Sequence, residues 1–477
     1  MAIKCFEIQF SELANTMLCS SYQFHKLAKE IKNRHNILTS KVRSYCDILS
    51  GYAFSSEDYD VDGIKLVRIG DFDNQELNLD ECAYLPKDFQ NKFEKFLLKE
   101  GDILIAMTGA TIGKSALVEE LNEKLLLNQR VGALRVKDGV NSRFFSYMIK
   151  CDFFRKQVAL ASMGKSQSNI SPFDILNIKV PEISKPTQDQ IVAQIDPIER
   201  EIKDLKNQIK KPQEVINQVF AREFGFDQNL YNEFGKGMTA GTQIADNRTL
   251  RVFETDFAGL ARSEILRFST RYHNPPTKKL MEILDEIETV KVKDIVSSYE
   301  KGIQPAYNSD GEISVVKITN LKNGFIDLEE SEKITNAEFQ KIKTEKRLKK
   351  NDIILCATGK VSLGKIDLFD LEEDAITSVD NYIIRLGKDF NQLFFVYFFR
   401  SVLGYFQIER DYTGATNQIH LYWEQISNFL IPNLPVSYQQ KIVDEIKLEL
   451  DAQEKIKKQI ELERQKIDAI IEQVIIS

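Results

Sequence analysis

Two segments of this chain carry the residue types that cradle phosphate. Gly109-Ala110-Thr111-Ile112-Gly113-Lys114-Ser115 and Gly359-Lys360-Val361-Ser362-Leu363-Gly364-Lys365-Ile366 each follow an apolar run with a glycine, a short stretch and a Gly-Lys pair. A nucleotide-binding loop needs four residues between its glycines and then Gly-Lys-Ser/Thr, so that amides and lysine meet phosphates and the hydroxyl meets magnesium. The first segment has only three intervening residues, and the second has Ile366 where the hydroxyl belongs. Nucleotide hydrolysis is therefore not expected. The shared kernel, Thr-Gly followed by Gly-Lys, suits a tight exposed loop. Its amides and lysine could face the phosphates of DNA, or its glycines could simply supply turn dihedrals.

Other candidate chemistry fails sooner. Asn274-Pro275-Pro276-Thr277 has the outline of an amino-methyltransferase loop, but Thr277 stands where an aromatic ring would stack on a flipped base, and no glycine-rich cofactor loop lies upstream. The segment reads as the start of a helix. No Ser/His/Asp or Cys/His order is common to the two glycine-lysine regions, and His420 has no histidine counterpart 250 residues earlier. The six cysteines include no CxxC pair and there are only four histidines, so a zinc site is not expected.

What places these residues is a duplication. Lys4-Cys5-Phe6-Glu7 returns as Arg251-Val252-Phe253-Glu254, and Cys46 to Ser50 as Lys293 to Ser297, both at an offset of 247. Ile64 to Ile69 returns as Ile313 to Ile318, Gly101 to Gly109 as Asn351 to Gly359, and Phe144 to Tyr147 as Phe394 to Tyr397, at offsets of 249 or 250. So small a drift implies one topology used twice, with minor loop insertions. Such a molecule suits a target that is itself roughly two-part.

Composition bounds the rest. The 477 residues, 43% hydrophobic and 28% charged, are those of an ordinary globular protein with ample core. No apolar run approaches the roughly 18 residues of a membrane span, and MAIKCFEIQF shows no basic stretch followed by an apolar core, so neither a membrane segment nor a secretory signal is expected and the localisation expected is cytoplasmic. A net charge of −7 argues against a nonspecific nucleic-acid binder. The run Lys341 to Lys350, six basic residues and one acid, is either a solvated face or a phosphate-facing loop.

The predicted fold class is α+β: two tandem-repeated mixed bodies separated by long helices that form an antiparallel coiled coil. Alternating apolar segments predict strands at Lys65 to Ile69, Asp102 to Met107, Val131 to Val136, Val315 to Ile318, Asp352 to Ala357 and Tyr382 to Leu386, and buried helices at Phe144 to Ile149 and Leu393 to Phe399. Each half closes on a mainly isoleucine series at alternating spacings of four and three: Ile191, Ile195, Ile198, Ile202, Leu205 and Ile209 in the first, and Ile442, Ile446, Glu449, Gln453, Ile456, Ile460, Glu463, Ile467, Ile470 and Val474 in the second, where seven of the ten are apolar. That period belongs to a coiled-coil seam rather than to a helix lying on a globular core. Pro197 and Pro212 predict kinks or breaks, most plainly after Lys211. The expected domains are a first body with its lead at 1–186, a first spacer helix at 187–224, a linker at 225–250, a second body at 251–436 and a second spacer helix at 437–477.

In order and twice over, these segments resemble the DNA specificity subunit of type I restriction-modification systems. So do Gly164 to Ile170 before Val180-Pro181, Gly414 to Ile419 before Ile431-Pro432, and the Gln-containing helix starts Thr187 to Val192 and Ser437 to Val443. Arg267 to His273 is similar to the family's Arg-x-Asp-Ala-x-Tyr lead, with Ser269 in place of the acid. The resemblance implies that each body is a target recognition domain reading half of a split, asymmetric site in double-stranded DNA. It also implies that the helices set the gap and dock two methyltransferase (modification) subunits, which restriction subunits join. Cofactors would then be none in this chain, with S-adenosylmethionine, ATP and magnesium used by the partners. Polar residues in matching loops become the DNA-binding candidates: Arg68, Lys114, Gln129, Arg130, Lys165, Gln167 and Asn169, then Lys317, Asn320, Lys360, Lys365, Asn381, Asn417 and Gln418. The competing readings are a self-sufficient methyltransferase-like enzyme, which would transfer methyl groups alone, and a noncatalytic coiled-coil adaptor, which would show no DNA affinity even with partners.

Overall fold

The computed structural model describes residues 38–73, 76–80, 82–162, 169–227, 230, 242–244, 248–250, 270–273, 275–415 and 418–476. The expected N-terminal lead, most of the 225–250 linker and Arg267 to Ser269 lie outside them. The chain divides into two compact units, Met1–Gln208 with Lys457–Ser477, and Ile209–Ile456. These bounds differ from those expected because each spacer region contributes to both units.

Each unit holds the same two sheets. In the first, strands Cys46–Ser50, Val131–Val136, Ile103–Ala106 and Ser115–Leu117 form an antiparallel sheet in that order, beside a three-stranded sheet of Ala83–Leu85, Ile64–Val67 and Leu125–Leu127. In the second, Val296–Lys301, Asn381–Leu386, Asp352–Cys356 and Ile366–Phe369 repeat the four-stranded order, and Glu332–Ile334, Ile313–Val316 and Ala375–Thr377 the three-stranded one. In each smaller sheet the central strand runs antiparallel to the first of these strands and parallel to the last. All the predicted strands form, within two residues at either end. The predicted helices form as Ser142–Lys150 and Gln392–Arg400, capped by Asn141 and Asn391, and a helix starts at Pro275 as read.

The central strands are buried on both faces, not alternately buried and exposed. Along Asp352–Cys356, Ile353 and Leu355 join a core with Phe394 and Phe398, whereas Ile354 and Cys356 join another with Val316 and Phe369. The period of two survives, but both sides find an apolar partner.

The first spacer is two helices, Lys185–Lys206 and Pro212–Phe224. Pro212 opens the second, where its missing N–H costs nothing, and Gly225 in the left-handed region (φ 68°) ends it. Pro197 lies within the first helix without ending it. The helical bond its missing N–H forgoes is the one to the carbonyl of Ala193, an exposed residue. The second spacer, Val436–Ile476, is unbroken.

In the second unit the contacts run antiparallel: Glu223 bonds Tyr438, Arg222 pairs with Glu445 and Glu449, and Gln453 accepts from the Lys210 N–H. There the seam residues face two ways, since Ile442, Val443 and Ile446 share one core with Ile216, Val219 and Phe220 of the helix Pro212–Phe224 and with Phe394 of the body. In the first unit Ile191, Ile195, Ile202, Ile460 and Ile467 are buried, while Ile198 and Leu205 are half-buried; Ile209 and Ile456, which fall in the second unit, are half-buried too. Near the end of the chain Ile471 is the buried residue, and Ile470 and Val474 are half-buried.

Candidate nucleic-acid interface

In the first unit three connections are stitched together at the ends of the strands. The turn 128–130 joins the two sheets: Asn128 N–H donates to Val67 O at 3.0 Å, Gln129 N–H to Tyr52 O at 2.9 Å and Val131 N–H to Asn128 O at 3.0 Å. Met107 N–H donates to Arg130 O at 3.0 Å, tying in the glycine-lysine loop, and Ile170 N–H to Met107 O at 2.9 Å, tying in the segment after residue 168. Thr108 and Asn169 form an isolated bridge between them. Gln129 and Arg130 project from this frame as exposed side chains, with Asn169 half-buried beside them.

The second unit repeats the frame with different side chains. Asn381 N–H donates to Ser378 O at 3.1 Å, Ala357 N–H to Asp380 O at 2.8 Å and Leu421 N–H to Ala357 O at 2.9 Å, and Thr358 bridges His420. Gln129 and Arg130 correspond to Val379 and Asp380, and Asn169 to His420. Lys360, Val361, Gln418 and His420 are exposed here. Lys165, Gln167 and Asn417 lie outside the described residues.

Several candidates are committed elsewhere. Arg68 binds its neighbour Asp71 through both Nε and an Nη at 3.2 Å, and this hydrogen bonding raises its pKa. Its counterpart Lys317 reaches Glu332 at 3.1 Å and is shifted upward likewise, with the Tyr307 ring 5.1 Å away. To meet a phosphate, either cation must give up a carboxylate. Asn320 is a correction: it is buried, accepting from Lys317 N–H and donating to Asp327 O, both at 2.8 Å, and so shapes a turn. Asn381 is a second, fully buried and donating to Thr377 Oγ1 at 2.8 Å.

The glycine-lysine loops are turns and not amide cradles. Gly113 and Gly364 have φ of 81° and 80°, and an added Cβ would press on Val158 at 3.1 Å and on Ile408 at 3.2 Å. The N–H groups of Gly113 and Lys114, and of Gly364 and Lys365, are spent on carbonyls of the same hairpins. Lys114 and Lys365 remain half-buried. Burial pushes the nearby Cys356 thiol up to about 11, so it packs and does not react. The basic run Lys341 to Lys350 is a partly neutralised face: Lys341 pairs with Glu338, Lys350 with Glu372, and Arg347 donates to two carbonyls and lies 4.5 Å from the Phe339 ring centre.

Sequence reasoning passed over two pairs that hold the frame. Arg135 meets buried Asp102 at 2.9 and 3.1 Å, and Arg385 meets buried Asp352 at 2.8 and 2.6 Å. Each arginine also donates to a carbonyl before the strand, Leu97 O or Arg347 O. The 250-residue register would have exposed these pairs, as it would have set Val379 opposite Gln129.

A family profile described as type I restriction modification DNA specificity domain matches residues 37–214 and again 285–470. Among curated proteins, the type I restriction enzyme MjaVIII specificity subunit of Methanocaldococcus jannaschii is 29% identical over 145 residues, 30% of this chain and 34% of that protein. The EcoAI specificity subunit of Escherichia coli is 26% identical over 176 residues, 36% of this chain and 29% of that protein. The matched stretches thus span about a third of those relatives. Among solved structures, the S subunit of a type I restriction-modification system from M. genitalium aligns over 92% of this chain and 96% of its own at 14% identity, TM-score 0.39. A chain from a study of type I R-M complex assembly and conformational transition aligns over 92% and 97% at 12% identity, TM-score 0.47.

Proposed function

The chain belongs to the type I restriction modification DNA specificity domain family, and on that premise we propose that it is a noncatalytic, sequence-specific DNA-recognition subunit. Each of its two bodies reads one half of a bipartite, asymmetric site in double-stranded DNA. Two modification subunits dock on the chain and carry the methyl transfer, and restriction subunits join them. S-adenosylmethionine, ATP and magnesium belong to those partners. The observation that carries this reading is one backbone frame, repeated at an offset of about 250 residues, that presents different side chains at the same places. A reader of an asymmetric target needs that arrangement, since base contacts specify while the scaffold only positions. The net charge of −7 fits a chain whose partners supply much of the phosphate neutralisation.

The test is to map DNA methylation in cells carrying this gene and its modification partner, against cells lacking only this chain. A split asymmetric motif that vanishes with the chain is the expected result. Methylation that persists unchanged would point to an adaptor, and methyl transfer by the purified chain alone would make it an enzyme.

A further inference from the structure

The corresponding turns 128–130 and 378–380 differ in chemistry but not in construction. Both are fixed by main-chain bonds to the glycine-lysine loop, from Met107 N–H to Arg130 O at 3.0 Å and from Ala357 N–H to Asp380 O at 2.8 Å. Both close with a bond across the turn, Val131 N–H to Asn128 O at 3.0 Å and Asn381 N–H to Ser378 O at 3.1 Å. No backbone reason therefore selects the residues at their tips. The first turn exposes an amide and a guanidinium, Gln129 and Arg130. The second exposes Val379, at 37%, while Asp380 is drawn back by a 2.9 Å hydrogen bond from Thr358 Oγ1. The adjoining loop of that unit carries Val361, 90% exposed.

Resting on the DNA-reading function above, we infer that these two turns are the base-reading stations of the two halves, donor-rich in the first and apolar in the second, so that the first meets a purine edge and the second a thymine methyl group. The chemistry follows from the major groove. Arginine reaches the O6 and N7 acceptors of guanine and glutamine the N6 and N7 of adenine, both using purine N7, whereas an aliphatic side chain can favour only the C5-methyl of thymine. A valine on a stiff turn is suited to that role, because it brings a branched surface with little rotamer freedom to lose. Asp380, turned toward Thr358, keeps its carboxylate from confronting the DNA directly.

The experiment measures binding of the assembled complex of this chain with its modification subunits to its mapped site, with single bases replaced by analogues. Uracil for thymine removes only the methyl group, and a 7-deazapurine removes only N7. In the second half-site, one thymine-to-uracil change should weaken binding about fourfold, the worth of one buried methyl group. That penalty should disappear in Val379→Ser or Val361→Ser. In the first half-site, one 7-deazapurine should weaken binding about tenfold, a penalty lost in Arg130→Ala or Gln129→Ala. The substituted side chains are exposed, and unchanged melting temperatures would confirm intact folds. Penalties that persist in all four variants, or a second half-site indifferent to every uracil, would overturn the assignment and leave the DNA-reading function standing. A complex that prefers no split site would overturn that function itself.

Discussion

Asp102 and Asp352 stand at the starts of the strands that lead into the glycine-lysine loops, and each does two jobs. Its carboxylate accepts a main-chain N–H, from Lys99 at 2.8 Å or Lys349 at 2.9 Å, and holds Arg135 or Arg385. Arg385→Ala would strand a buried carboxylate and should destabilise the second unit by about 3 kcal/mol, visible as a fall in its thermal midpoint; an unchanged midpoint would show the pair to be dispensable. Asp367 has the opposite balance. Burial pushes it up to about 6, against the pull of Arg400 and the N–H groups of Gly324 and Asn323. The folded state therefore binds this proton more tightly than the unfolded chain, which titrates near 3.8. Its stabilising contribution is present in full below that value and lost as pH rises through about 6. Melting curves between pH 4 and 7 should show a decline in stability that Asp367→Asn flattens. None of this was readable from residue types. A polar residue in a turn-rich segment looks the same whether its side chain faces in, as with Asn320 and Asn381, or out, as with Gln129.

The closing helices were readable as helices, and their fastening was not. Gln188 and Gln439 occupy matching places in the first turns of those helices, each accepting the N–H of the residue that caps the body's buried helix, Asn141 or Asn391, at 2.8 Å. Each also donates back to its own chain, to Ile183 O or Leu434 O. The glutamines noticed at these helix starts are thus latches between helix and body. Gln439→Ala leaves the half-buried Asn391 N–H without its acceptor and should cost about 1–3 kcal/mol. Urea unfolding would register it, and Gln188→Ala should cost a similar amount at the matching latch of the first unit. The isoleucine spacing showed only part of the packing. Periods of 3.5 and 3.6 diverge by only about 20° per heptad, so the turns from Ile442 can serve both the facing helix, at Ile216 and Phe220, and the body, at Phe394. The break before Pro212 could be read because proline cannot continue a helix, whereas Pro197 stays within a helix at a place where Ala193, four residues back, is exposed.

A chain that carries one frame twice should tolerate exchange of its two bodies, because one set of fastenings recurs in both copies. The caps Asn141 and Asn391, the latches Gln188 and Gln439, and the ion pairs of Asp102 and Asp352 recur in register. A second clamp recurs too: Gln157 exchanges bonds with Lys179 at 2.9 and 3.0 Å, and Gln407 with Leu430 at 2.9 and 2.7 Å. A body moved to the other position therefore meets these shared fastenings, while contacts particular to one copy, such as Val402 N–H to Asn217 Oδ1 at 2.8 Å and Arg143 to Asp196 at 2.6 Å, are exchanged for new ones. Exchanging residues 46–178 with 296–429, with both spacer regions untouched, should yield a stable chain whose methylated motif contains the same two half-sites in reversed order and with the same number of unread bases between them. Methylation mapping of cells carrying the exchanged gene reads all three features at once. Reversed half-sites with an altered gap would mean that the bodies, and not the helices, set the distance. A folded chain that directs no methylation would mean that reading depends on contacts outside the frame, and the equivalence of the two stations would fall with it.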